Sequence, residues 1–189
     1  MNQFYTYLQL GMGHILNVAA IDHLLFILSF VIGIQSHEIK KALYWVSAFT
    51  FGHSITLALA TFKIIQINPQ WIEFLIPVTI LISTISYLKQ KEYNTIGLKF
   101  VFIAFFGLIH GLGFSNYLQT LLGKEQSILI PLIGFNLGVE IAQLIVVSFL
   151  MISLTTIEKF LSINRKYVNY AIILIIIGLV LPMIWERIP

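Results

Sequence analysis

The chain has 189 residues, 58% of them hydrophobic and only 10% charged, with a mean hydropathy of +0.92. A soluble domain carries roughly a quarter charged residues, so this composition excludes a soluble globular fold. The net charge of +3 suggests no nucleic-acid partner, and the absence of cysteine excludes disulfides, thiolate metal sites and thiol nucleophiles.

The N-terminus lacks the basic start of a cleaved signal peptide, so the first apolar segment is expected to be retained. A spanning helix needs about 20 mainly apolar residues. Six candidates follow in chain order, at 14–34, 42–62, 71–88, 96–116, 127–155 and 167–186. An amphipathic stretch at 4–12 precedes the first and suits the membrane interface. Pro77 is expected to kink the third. The fifth exceeds the bilayer thickness and suits a tilt. The connections are short and polar, and no nucleotide-binding loop is present, so ATP is not the chain's own energy source. The expected architecture is all-α: a polytopic membrane protein of six transmembrane helices forming one domain over 1–189.

Lys and Arg are divided unequally between the two sides. Lys63, Lys124 and Arg187 lie on one side. Lys40, Lys41, Lys89, Lys91, Lys99, Lys159, Arg165 and Lys166 lie on the other. The positive-inside rule places both termini outside the cytoplasm, on the periplasmic side of a Gram-negative inner membrane.

Ionisable groups inside hydrocarbon are costly and mark functional sites. Here His14, Asp22, His23, His53, His110 and Glu140 all fall within apolar segments. At about 1.5 Å per residue, Asp22, His53, His110 and Glu140 lie within roughly one helical turn of a common level near the midplane. Asp22-His23 offers a ligand pair, or a carboxylate that orients a ligand histidine from behind. His14 lies nearer the outer end, as a first ligand at the entrance. His53 shares its segment with Ser47, Thr50 and Ser54, whose spacing of three, four and seven makes one polar stripe and suggests a polar pathway. His110 precedes Gly111-Leu112-Gly113, where small residues permit close approach. Asn136, Glu140 and Gln143 stand at i, i+4 and i+7; they could bind or carry ions, or form an interhelical hydrogen-bond ladder. His37, in a polar connection, is expected to be solvated, and the sixth span is scaffold.

Two segments echo two others. Phe49-Thr50-Phe51-Gly52-His53-Ser54-Ile55 resembles Phe135-Asn136-Leu137-Gly138-Val139-Glu140-Ile141. Gly11-Met12-Gly13-His14 resembles Gly107-Leu108-Ile109-His110. The matches pair spans one and two with spans four and five, as an inverted three-plus-three repeat would.

Imidazole and carboxylate donors suit nickel, cobalt or zinc. Copper(I) would want sulfur, and only Met12 is near; calcium and magnesium would want more oxygen.

The motifs Gly11-x-x-His14, Asp22-His23-Leu24-Leu25-Phe26, Phe49-Thr50-x-Gly52-His53-Ser54, Gly107-x-x-His110-Gly111 and Phe135-Asn136-x-Gly138-x-Glu140 together resemble the HupE/UreJ family of small membrane proteins. The resemblance covers spans one to five. It implies about six membrane helices and a nickel or cobalt permease supplying hydrogenase or urease. It carries over His14, Asp22, His23, His53 and His110 as metal residues, with Glu140 and Asn136 added. Asn17-Val18-Ala19-Ala20 stands where better-known members have a glycine, so the chain resembles a divergent branch seen in Bacteroidetes-type bacteria. The expected function is passive or proton-coupled uptake of a divalent transition metal, with Glu140 taking a proton as the metal leaves. The alternative is an intramembrane metal-dependent enzyme acting on a lipid or membrane-embedded substrate.

Overall fold

The computed structural model describes residues 2–17, 21–35, 38–88, 96–122 and 128–189; His37 and Lys124 lie outside them. Among the described residues there are seven helices and no strands. They are α1 (Gln3–Leu16), α2 (Ile21–Val31), α3 (Ile39–Thr61), α4 (Pro69–Leu88), α5 (Ile96–Leu122), α6 (Leu129–Leu161) and α7 (Arg165–Glu186). The last five are each long and apolar enough to cross a bilayer, and α1 and α2, set at 69° to each other, pass the same test as a pair, giving five or six candidate spans. The protein is a multi-pass membrane protein. Pro77 lies within α4 without ending it.

The first span departs from expectation. Instead of one helix over 14–34 preceded by an interfacial segment, residues 3–16 form a helix that packs along α6, and residues 21–31 form a second helix. The reason lies in glycine. A Cβ on Gly11 would stand 2.1 Å from the Phe135 carbonyl oxygen, one on Gly138 2.1 Å from that of Leu8, and one on Gly134 2.7 Å from that of Phe4. Without a hydrophobic force between helices in lipid, such close backbone approach is what joins them. The positions advance together along both helices, so α1 and α6 run parallel.

The same contact recurs between α3 and α5. A Cβ on Gly107 would meet the Phe49 carbonyl oxygen at 2.2 Å, one on Gly52 that of Ala104 at 2.0 Å, and one on Gly111 that of His53 at 2.3 Å. Phe49 and Ala104 lie three residues before Gly52 and Gly107, as Phe135 and Leu8 lie three before Gly138 and Gly11. The two pairs of the sequence echo therefore pack by one rule, α1 on α6 and α5 on α3.

Other ties fix the broken span. The Asn169 Nδ2 of α7 donates to the Ile32 carbonyl at 2.8 Å, and Arg165 donates to that of Ile34 at 3.3 Å. These satisfy carbonyls just past α2, which lack helical partners. Arg165 also pairs with Glu158 at 2.9 Å.

Gly52→Leu and Gly138→Leu are each expected to abolish a monodisperse peak in detergent size-exclusion chromatography. The obstacle in both is backbone, so the cost should exceed the roughly 1–3 kcal/mol of an ordinary overpacked core. Gly13→Leu, with nothing within 4 Å of its Cβ position, should leave the peak unchanged.

Candidate metal site

The break between α1 and α2 places two histidines side by side. His14 lies in the last turn of α1 and His23 is the second residue of α2, with ring centroids 4.5 Å apart. His53 of α3 lies 6.4 Å from His14, and His110 of α5 lies 5.6 Å from His23. Four helices thus each supply one imidazole. His14, His23 and His53 each offer a ring nitrogen, and these three atoms all lie within 4.8 Å of one another.

Two of the four histidines stand three residues after a packing glycine, His14 after Gly11 and His110 after Gly107. His53 immediately follows Gly52. The glycine contacts that fix the helix pairs therefore also fix the height of three rings.

The rings are buried but unsatisfied. His23 is 6% exposed, His53 0% and His110 1%. Among the described residues, eight buried side-chain nitrogens and oxygens lack a hydrogen-bond partner, and six of these belong to the four histidines. They are Nε2 of His14 and His110 and both ring nitrogens of His23 and His53. Buried polar atoms in native proteins are almost always partnered, so such a concentration at one place points to a ligand. Aromatic side chains wall the cluster. Phe114 lies 4.0 Å and Phe135 5.8 Å from His14, and Phe26 and Phe49 each lie 5.1 Å from His110. They supply no competing donor or acceptor.

His110 is already oriented. Its Nδ1 lies 2.9 Å from the Phe106 carbonyl oxygen, which can only accept, so Nδ1 carries the proton and Nε2 keeps its lone pair. Fixing the tautomer through the distal nitrogen is how proteins hold histidine for a metal.

Asp22 stands at the edge of the cluster. Its Oδ1 lies 3.5 Å from His23 Nδ1, at ion-pair range but without a hydrogen bond, and accepts from the His23 backbone N–H at 3.2 Å. Its Oδ2 faces Arg187 at 3.8 Å. The sequence gives Arg187 only a topological meaning, since nothing local links it to a residue 165 positions away. As an acidic residue in the first turn of α2, Asp22 also suits the positive end of that helix.

Asn136 and Glu140 occupy a different place, the seam between α3 and α6. Ser47 Oγ donates to Glu140 Oε1 at 2.9 Å, Thr50 Oγ1 to Gln143 Oε1 at 2.8 Å, and Ser54 Oγ to Asn136 Oδ1 at 2.7 Å. The two polar stripes legible in the sequence close on each other, rung by rung, as a ladder. Asn136 also lies beside His53, but its Nδ2 donates to the Leu132 carbonyl. Ser47, the partner of Glu140, lies six residues before His53 on α3, about 9 Å along the axis. The structure therefore gathers the four histidines, sets Asp22 against them, and leaves Glu140 on the adjoining seam.

Further along α3 and α5, past the histidines, lies a polar cavity of about 210 Å³ lined by Gln66, Ser115, Asn116 and Gln119 among others.

A family model described as HupE / UreJ protein matches residues 1–187. No curated protein matches the chain, and no solved structure does.

Asp22 and Arg187 are partly exposed, with side-chain exposures of 18% and 33%. Their coupling is therefore expected to be small, about 0.5–1 kcal/mol. A double-mutant cycle of Asp22→Asn and Arg187→Gln, read by thermal unfolding in detergent, measures it.

Proposed function

The chain belongs to the HupE/UreJ family, and from that premise we propose that it carries a divalent transition-metal ion across the membrane through the four-histidine cluster. The supporting observation is the set of six buried ring nitrogens without partners, on histidines from four helices. Neutral imidazole is a borderline donor, and nickel, cobalt and zinc are the ions it suits.

In this reading the ion is the cargo. It enters from the exterior through the polar cavity, where amide and hydroxyl oxygens replace part of its hydration. His14, His23 and His53 receive it, and His110, with Nε2 free and its tautomer set by Phe106, completes or relays the shell. Asp22 supplies negative charge close to His23, offsetting part of the cost of placing a dication at depth. Asn136 and Glu140 act as positioning residues: the ladder to Ser54 and Ser47 holds α3 against α6 and keeps His53 in register. The break in the first span makes the site adjustable, because α1 and α2 each bring one histidine. Discontinuous helices at a midplane site recur in transporters for this reason. The bilayer is the inner membrane, with both termini on the periplasmic side.

Metal accumulation in cells expressing the gene tests the proposal. Nickel, cobalt or zinc uptake should exceed the vector control and fall to background with His53→Ala, while the variant still reaches the membrane. Because only neutral imidazole binds metal, binding to the purified protein should weaken as the pH falls. Rapid exchange of bound metal with a chelator is expected. Unchanged accumulation of all three ions, with metal retained through chelation, would favour the intramembrane enzyme instead.

A further inference from the structure

A second cavity, of about 410 Å³, lies between α2, α3, α4 and α5, beyond Phe106 from the histidines and toward the lysine-rich end. Ser29, Trp45, Ser83, Tyr87, Lys99 and Phe106 are among its lining. Its position on the far side of the cluster would suit an exit route, but its chemistry has the wrong sign for one. Among the described residues no carboxylate lines it, and Lys99 does. A dication would be repelled there, whereas an anion would be attracted.

Lys99 is the cation among the described lining residues, beside the hydroxyls of Ser29, Ser83, Ser86 and Tyr87. Trp45 contributes to the wall while only 2% exposed, its indole N–H buried and without a partner. The Tyr87 hydroxyl accepts from Asn169 Nδ2 at 2.8 Å, which leaves its own proton to give. The Lys99 ammonium lies 5.1 Å from the Trp45 ring centroid, a cation–π position. Lys41 lies 5.4 Å from the same ring and is paired with Glu38 at 3.0 Å. Lys99 makes no ion pair among the described residues. The remaining walls are largely apolar, from Phe30, Phe102, Ile103 and Phe106. An apolar chamber with a lysine at its wall matches an amphiphile with an anionic head. The lysine-rich position matches the headgroup level of a leaflet, and basic pockets between membrane helices at that level hold anionic lipid headgroups.

We propose that the cavity around Trp45 and Lys99 binds an acidic phospholipid of the bilayer, its acyl chain among the phenylalanines and its headgroup against Lys99. This site is separate from the metal site and does not depend on what the histidines carry.

The test uses the full chain in vesicles, with tryptophan fluorescence quenched by lipids brominated on the acyl chain. Brominated phosphatidylglycerol and brominated phosphatidylcholine are titrated into wild type and into Trp45→Phe, and the difference isolates Trp45 from Trp71 and Trp185. Quenching of Trp45 should favour the glycerol lipid by about fivefold, the worth of one lysine beside an anionic headgroup. Lys99→Gln should remove the preference and Lys99→Arg should retain it. Inorganic phosphate at millimolar concentration should not compete, since it lacks the chain. Equal quenching by both lipids would overturn the proposal in favour of unselective lipid contact. Quenching by neither would overturn it in favour of another occupant, such as a second copy of the chain. Competition by phosphate would overturn it in favour of a simple anion site.

Discussion

The structure depends on backbone meeting backbone at glycine. In lipid, two apolar helices gain little from hiding apolar surface in each other, so close contact decides which helices pair. Gly11 and Gly138 let α1 press on α6, and Gly52, Gly107 and Gly111 let α3 press on α5. No other residue would leave the neighbouring carbonyls their space. Because His14, His53 and His110 stand one or three residues from these contacts, the packing that joins the helices also sets the level of the rings. Fold and site rest on the same few atoms.

That arrangement also explains the likeness within the sequence. Each partner of the α1–α6 pair matches one of the α5–α3 pair, and Gly11, Gly138, Gly52 and Gly107 each meet a carbonyl three residues before the glycine of the helix they pack on. The direction of the helices agrees, since each pair is parallel while α3 and α6 run opposite to one another. The histidines do not repeat fully. Position 139, which corresponds to His53, is valine, and Asn136 corresponds to Thr50. One half thus supplies His110 to match His14, and the other supplies His53 without a counterpart. His23 comes from the broken first span. An uneven cluster on an even scaffold leaves one end of the site free to differ from the other.

Much of this was legible from residue type alone. Apolar runs located α3 to α7 within a few residues, apart from the ends of α5 and α6, which run six residues longer. The intramembrane histidines stood out because ionisable groups have no cheap place in hydrocarbon. The polar stripes on α3 and α6 were visible from their spacing, and what they share, a ladder, follows from hydrogen-bond demand. The bent first span was not legible. Asn17-Val18-Ala19-Ala20 contains neither proline nor glycine, and hydropathy is continuous across it. The segment at 4–12 resembled an interfacial helix because its companion, α6, lies more than a hundred residues away. The Asp22–Arg187 contact was hidden for the same reason, and the place of Glu140 beside Ser47 needed the register of two helices rather than the depth of one.

The account stands or falls on whether the four imidazoles form one coordination shell. X-ray absorption at the metal edge of nickel- or zinc-loaded protein reads that shell directly. The account predicts three or four imidazole nitrogens at about 2.0–2.1 Å, with one lost in His53→Ala. A shell of oxygen donors alone, or a spectrum unchanged by His53→Ala, would contradict it.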